Sequence, residues 1–387
     1  MRPLNDILTY CNEVAFDLNF TYAKKWKTEK SNRALVGFLP IYFPREIIHA
    51  VNGLAIGVMG AGDHKQIIKG DAYYQSYICH LPRGIIEMAL DHSLETFDGF
   101  IFPAICDCVR NLSGMFKLAK KGQFQRYFDY PQNFDASIGG VFYNQELHKI
   151  SEDVFKVNGV KLTTENLNQS IKLYNTNRKL IEEIYNIRQE YPWRLSAVDT
   201  YKIVRAGLSI TVENHNKILE EVIGNITEES GEPMDNIRVV INGSFCEQPP
   251  LGLIKSIEMA GCYIVDDDFM LGSRWIQGDV EDDTNDPLGA LVNAYLTKST
   301  FSSAVYDVGN PKGKRLVQLA KNRNADGVIF SAASFCDPAL LDRPELQKEC
   351  DAVGIPHINF QYHENTGQFK VIKEQAGTFS DSIKLWA

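Results

Sequence analysis

Eight cysteines stand in this chain of 387 residues: Cys11, Cys79, Cys106, Cys108, Cys246, Cys262, Cys336 and Cys350. Thiolates serve as nucleophiles, redox groups and soft metal ligands. In a reducing compartment disulfides are disfavoured, so ligation, catalysis or plain burial must account for them. Three are set apart by their surroundings. Cys79 lies in Tyr77-Ile78-Cys79-His80-Leu81-Pro82-Arg83, just ahead of a helix expected to begin near Gly84. A helix N-terminus favours a thiolate as a ligand. Cys106 and Cys336 each follow a short apolar segment and precede an aspartate, Asp107 and Asp337. Three thiolates from separate loops suit a [4Fe–4S] cluster with one iron not held by cysteine. Zinc suits the pattern less well, because its sites draw on close CxxC pairs and this chain has none. On spacing alone, three unrelated buried thiols explain the pattern more simply.

The other cysteines sort by position. Cys108 is a fourth ligand, an alternative to Cys106, or a neighbour that binds nothing. In an extended segment its side chain would point the same way as that of Cys106. Cys246, in the loop after Val239-Val240-Ile241, is a weaker candidate. Cys11, Cys262 and Cys350 fall in helix or strand bodies and are expected in the core.

These thiols need a scaffold. Residues 1–30 read as an amphipathic helical segment, with Leu4, Leu8, Tyr10, Val14 and Leu18 at helical spacing. Ala34–Phe38, a helix opening at Pro44 and Leu54–Val58 form a βαβ unit. The pattern returns after residue 236, with Ile237–Ile241, a helix after Pro249-Pro250, and Gly261–Val265. Asp98-Gly99-Phe100-Ile101-Phe102 matches Asp326-Gly327-Val328-Ile329-Phe330, and each is followed by Cys-Asp. Gln125–Phe128 likewise matches Pro356–Phe360. The expected fold is α/β: two duplicated Rossmann-like or flavodoxin-like parallel-sheet domains with an N-terminal helical segment and connecting helices. The expected divisions are 1–30, 31–150, 151–235 and 236–387. Two helical stretches are expected in the third division, one carrying Leu167, Ile171, Tyr174, Ile181 and Ile184, with a linker at 224–231. Ligand sites in such sheets lie beyond the carboxyl ends of the strands, so Cys79, Cys106 and Cys336 can face one another across a cleft.

The ordered set Cys79-x-x-x-Arg83, Phe102-Pro103-Ala104-Ile105-Cys106-Asp107 and Ala325–Phe330 through Phe335-Cys336-Asp337-Pro338 resembles the 2-hydroxyacyl-CoA dehydratase/benzoyl-CoA reductase family. Asp266-Asp267-Asp268 with Gly272-Ser273-Arg274 is similar to its second-domain motif. The resemblance covers nearly the whole chain. Within the family, His363–Gln368 and Gln375–Ser382 look most like the smaller, cluster-carrying subunit of an ATP-dependent benzoyl-CoA reductase. The resemblance implies a [4Fe–4S] cluster held by Cys79, Cys106 and Cys336 between two α/β domains. It also implies a homologous cluster-carrying partner subunit and ATP-hydrolysing subunits that deliver a low-potential electron. Benzoyl-CoA or a related acyl-CoA would be the substrate at the complex. This chain is then the relay side or the substrate side, with relay favoured. Two alternatives stand beside it: a subunit of an (R)-2-hydroxyacyl-CoA dehydratase, and a non-catalytic α/β binding module.

Other motifs are weighed against plain structure. His80 is a proton donor, a hydrogen-bond partner of cluster sulfur, or a structural histidine. Arg83 and Arg274 neutralise a cluster, hold a CoA phosphate, or pair with acids. Asp266-Asp267-Asp268 resembles a metal-binding run but fits a loop or helix cap better. Gly309-Asn310-Pro311-Lys312-Gly313-Lys314-Arg315 fails as a phosphate loop: the gap is one residue short and Arg replaces Ser/Thr. It reads as a solvated basic turn, so ATP must be used on another chain. No Ser-His-Asp arrangement or dinucleotide fingerprint is visible. A net charge of -9 argues against nucleic acid as a partner. No apolar run is long enough to span a membrane. Met1–Asp6 lacks a hydrophobic leader, and a cytoplasmic location is expected.

Overall fold

Short runs of apolar residues, buried on both faces, dictate the architecture. In the computed structural model, described for residues 2–60, 62–226, 231–246, 248–363 and 369–386, they form two parallel four-stranded sheets. The first half contains α1 (Leu4–Ala15), α2 (Thr21–Thr28), β1 (Ala34–Phe38), α3 (Arg45–Ala50), β2 (Gly53–Gly57), α4 (His80–Leu90), β3 (Gly99–Pro103), α5 (Asp107–Ala119) and β4 (Phe124–Phe128). Next come α6 (Val141–Asn158), α7 (Thr164–Glu190), α8 (Ala197–Ala206) and α9 (Val212–Asn225). The second half contains β5 (Ile237–Asn242), α10 (Leu251–Glu258), β6 (Cys262–Asp267), α11 (Leu271–Arg274), α12 (Pro287–Lys298) and α13 (Lys312–Asn322). It ends with β7 (Gly327–Ala333), α14 (Asp337–Val353), β8 (His357–Tyr362) and α15 (Phe369–Trp386).

The sheet orders are β2-β1-β3-β4 and β6-β5-β7-β8. The second repeats the first strand for strand, as the expected duplication requires. β1, β2, β3 and β7 are buried along their whole length, which suits helices on both faces. In this order the chain reverses its winding between the first and third strands of each sheet. Loops at such a switch point open a crevice at the carboxyl edge.

The central stretch is richer in helix than expected. α7, α8 and α9 follow an α6 that runs through residue 150. All five expected apolar positions of α7 are buried. Residues 227–230 of the expected linker lie outside the described residues, as do Glu364–Gln368 of the C-terminal motif. No helix of the described residues is long and apolar enough to cross a membrane.

Aromatic packing joins the halves. Tyr42, after β1, lies 6.2 Å from Tyr295 of α12, and Tyr143 of α6 stacks on Tyr295 at 4.4 Å. The Tyr42 hydroxyl donates to the Thr300 carbonyl, and that of Tyr295 to the Pro131 carbonyl at 2.7 Å. On α11, a Cβ on Gly272 would stand 2.1 Å from the Pro40 carbonyl oxygen, so only glycine permits this approach.

The helical layer contains a buried base. His215 is 1% exposed and stacked against Gly207 so closely that a Cβ there would lie 2.2 Å from the ring. Burial first, and then Arg45, push its pKa from 6.5 to about 3. The unfolded chain takes up a proton below about pH 6.5 that the folded chain refuses. This contribution to stability is therefore intact above pH 6.5 and is lost as pH falls toward 3. Urea midpoints between pH 7.5 and 4.5 should fall more steeply for the wild type than for His215→Gln, and equal slopes would contradict the assignment.

Candidate metal centre

Cys79, Cys106 and Cys336 occupy equivalent positions: each is the N-cap residue of a helix, α4, α5 and α14 respectively. At that position a side chain faces free backbone N–H groups and the positive end of the helix dipole. The helix after Cys79 begins at His80, four residues ahead of the expected Gly84, so Pro82 sits in its first turn, where proline is tolerated. Pro338 does the same in α14, after Phe335 in the left-handed region at φ 66°.

Cys106 has extended backbone, but Cys108 lies in the first turn of α5. The shared extended segment considered for this pair is therefore replaced by a helix start. The two thiols share a hydrogen bond that lowers the Cys106 pKa to about 7, with the Val109 and Cys108 amides adding to it against burial. The same bond pushes the Cys108 thiol well up. Cys106 is thus the natural thiolate of the pair and Cys108 its donor.

Cys246 joins the group more closely than its sequence suggests. Its sulfur lies 3.9 Å from that of Cys336, and both residues are buried. The hydrogen bond with Cys336 and then burial raise its pKa, and the charges of Cys336, Cys79 and Cys106 raise it further. Cys246 therefore feels the charge of thiols from the first half of the chain as well as from its own. Tyr74 stands beside the first-half thiols. Its hydroxyl donates to the Cys108 carbonyl at 2.9 Å, and it is pushed up by burial and then by Cys108, Cys106 and Cys79. Cys11, Cys262 and Cys350 are fully buried elsewhere.

Among the described residues, no three His, Cys, Asp or Glu side chains are drawn together tightly enough to grip a single ion. Soft thiol donors at helix N-termini are of the donor type that an anionic iron–sulfur group takes.

The loop bearing Cys246 is anchored from below. Asp268 accepts from the Gly243 and Ser244 amides at 2.7 and 3.0 Å, and the Ser244 hydroxyl donates to the Ser331 carbonyl at 2.8 Å. Burial pushes the Asp268 pKa up to about 7.

The other two aspartates of the run face arginine, not metal. Asp266 takes Arg274 at 2.8 Å and Arg323 at 2.6 Å, while Asp267 takes Arg188 at 2.9 Å and the Tyr185 hydroxyl at 3.0 Å. Of the roles open to Arg274, acid pairing is the one observed, with its guanidinium 3.4 Å from the Tyr185 ring centroid. Arg83 pairs with Asp71 at 2.9 Å. His80 is half-buried at the first position of α4.

His49 bridges Ser170 at 2.9 Å and Glu213 at 3.0 Å, a Ser-His-acid line assembled from three separate helices. It is not a nucleophile site: Ser170 is fully buried and its hydroxyl already donates to the Glu46 carbonyl at 2.8 Å. No spacing in the sequence could have revealed it.

The family model described as 2-hydroxyglutaryl-CoA dehydratase, D-component, matches residues 40–383. The chain is 48% identical over 383 residues to one of the subunits of benzoyl-CoA reductase from Thauera aromatica, covering 99% of both. It is 27% identical over 367 residues to the beta subunit of (R)-2-hydroxyglutaryl-CoA dehydratase of Acidaminococcus fermentans, covering 94% of this chain and 95% of the relative. It is 24% identical over 355 residues to the (R)-phenyllactyl-CoA dehydratase beta subunit of Clostridium sporogenes, covering 92% and 93%.

Proposed function

The chain belongs to the 2-hydroxyglutaryl-CoA dehydratase D-component family, and from that premise we propose that it is the iron–sulfur subunit of an ATP-dependent benzoyl-CoA reductase. The observation that supports this is that Cys79, Cys106 and Cys336, from both halves of the chain, each cap the N-terminus of a helix and that the charges of all three act on Cys246. They are the proposed ligands of a [4Fe–4S] cluster. A cluster bound there supplies one-electron transfer at low potential.

The chain's own residues have definite tasks in this reading. Three helix N-termini stabilise thiolates and the net negative charge they surround. Burial of Cys79 and Cys336 keeps water from the site, which sustains a low-dielectric setting. Asp268 holds the Cys246 loop at the end of β6, and the Ser244 hydroxyl ties it to β7. Cys246 and Cys108 stand beside Cys336 and Cys106, each sharing a thiol hydrogen bond with its neighbour. Charge enters and leaves through partners: a homologous cluster-carrying subunit and ATP-hydrolysing subunits. The chain then acts as the relay in dearomatising benzoyl-CoA to a cyclic dienoyl-CoA.

The second reading, a subunit of an (R)-2-hydroxyacyl-CoA dehydratase, is kept alive by the family match and by two of the relatives. Anaerobic assays of the complete complex separate the two. Reduction of benzoyl-CoA with ATP and reductant consumed in proportion to product is the expected result. Dehydration of a 2-hydroxyacyl-CoA with only catalytic ATP would replace it.

A further inference from the structure

Cys246 stands outside the repeat that relates the two halves. It lies in the loop after β5, and the matching loop after β1, residues 39–44, holds no cysteine. Duplication therefore does not account for a thiol here. The structure gives it a defined neighbour instead, the Cys336 sulfur at 3.9 Å.

The loop is built to hold that contact. Asp268 takes two successive amides, those of Gly243 and Ser244, at 2.7 and 3.0 Å. Gly243 has φ 114°, which is open to glycine and strained for other residues. A Cβ there would also lie 2.9 Å from the Ser331 carbonyl oxygen, so the loop and β7 approach closely. The Ser244 hydroxyl donates to that same carbonyl at 2.8 Å. The segments that carry the two sulfurs are thus tied together just ahead of both.

Water is kept from the pair. Cys246 is 8% exposed and Cys336 4%, and both belong to the core that contains Phe245, Ala332 and Ala333. Phe245 lines the cleft between α7 and α13 and Cys246 does not, so the loop partitions the two sulfurs from that opening. Cys106 and Cys108, by contrast, are only partly buried.

One proton is shared between the Cys246 and Cys336 sulfurs. A Cys336 thiolate that holds iron has no proton to give, so Cys246 becomes the donor. A hydrogen bond to sulfur strengthens as negative charge on the acceptor grows, and each electron taken up adds one charge. In a buried site solvent does not dilute the difference. Resting on the proposed function, we infer that Cys246 donates to the Cys336 sulfur in the cluster-bearing chain and raises the potential at which this relay takes up an electron. It holds no iron itself and acts only through Cys336. A relay needs such a setting, because its potential has to lie between those of the groups that feed it and drain it.

Mediated redox titration of the anaerobically reconstituted full-length chain tests this, with iron content and visible absorption recorded on the same samples. Cys246→Ala should keep its iron and its absorption spectrum. It should be about tenfold harder to reduce, a fall of about 59 mV for one electron. Cys246→Val, which fills the space without a donor, should do the same. Cys246→Ser keeps an O–H donor and should return most of the way to wild type. Cys108→Ala, whose thiol is less buried, should shift the potential less than Cys246→Ala. An unchanged potential in Cys246→Ala and Cys246→Val overturns the inference. So does a shift of equal size in Cys246→Ser, which would assign the effect to packing and not to the donated proton. Loss of iron from all three Cys246 variants overturns it by making Cys246 a ligand. The two readings fail separately: a wild-type chain that takes up no iron sinks the cluster and this role together, whereas iron with no shift in potential sinks this role alone.

Discussion

The double variant Cys79→Ala/Cys336→Ala is expected to lose its iron: from about four atoms per wild-type chain after anaerobic reconstitution to fewer than about one. The two residues cap α4 and α14, one from each half of the molecule. Their loss leaves only the Cys106 side of the proposed cage. A double variant is chosen because Cys246 lies 3.9 Å from Cys336 and offers a stand-in sulfur when Cys336 alone is removed. Cys108→Ala should keep its iron, because that thiol acts as a donor to Cys106 rather than as a thiolate. Far-ultraviolet circular dichroism must match the wild type for the comparison to hold. Unchanged iron in the double variant would remove the cluster, and with it the relay role.

Asp267→Asn should lower the unfolding free energy by about 3–5 kcal/mol, the usual effect of breaking a buried ion pair. The Arg188 and Asp267 side chains are 1% and 2% exposed, with a nitrogen–oxygen distance of 2.9 Å. Amidation keeps the shape and removes the charge, so a guanidinium is left in the core without its nearest countercharge. Asp266 softens the loss, because its charge also favours ionised Arg188. The position also carries structure: Tyr185 and Arg188 fasten the C-terminal turns of α7 to the end of β6. Urea denaturation measures the change, and a loss under about 1 kcal/mol would show that the pair does not bear on stability. Arg188→Met added to Asp267→Asn should recover part of the loss, since a hydrophobic replacement needs no countercharge.

Much of this molecule is legible in its sequence. Apolar runs such as Ala34–Phe38 and Gly327–Ala333 have few ways to be buried on both faces, and a parallel sheet between helices is the common one. The Asp-Gly-strand-loop-Cys-Asp repeat carries the duplication, and the matching sheet orders follow from it. Boundaries are harder. Nothing local marks His80 as the start of α4, because cysteine is an uncommon N-cap and Pro82 reads as a break. The Asp266-Asp267-Asp268 run resembles a metal site because the sequence does not reveal that Arg188, Arg274 and Arg323 arrive from distant elements.

The sequence by itself determined the strands of both sheets and the repeated α/β halves. All of these rest on neighbours within a few residues, where periodicity, turn chemistry and burial act directly. Only the tertiary structure decided that Cys246 belongs beside Cys336, that α7 and α13 enclose a cleft, and that Ser170, His49 and Glu213 form a sealed structural line. Those outcomes depend on residues that stand far apart along the chain. Packing of one helix face against another sets their separation, and no local spacing encodes it.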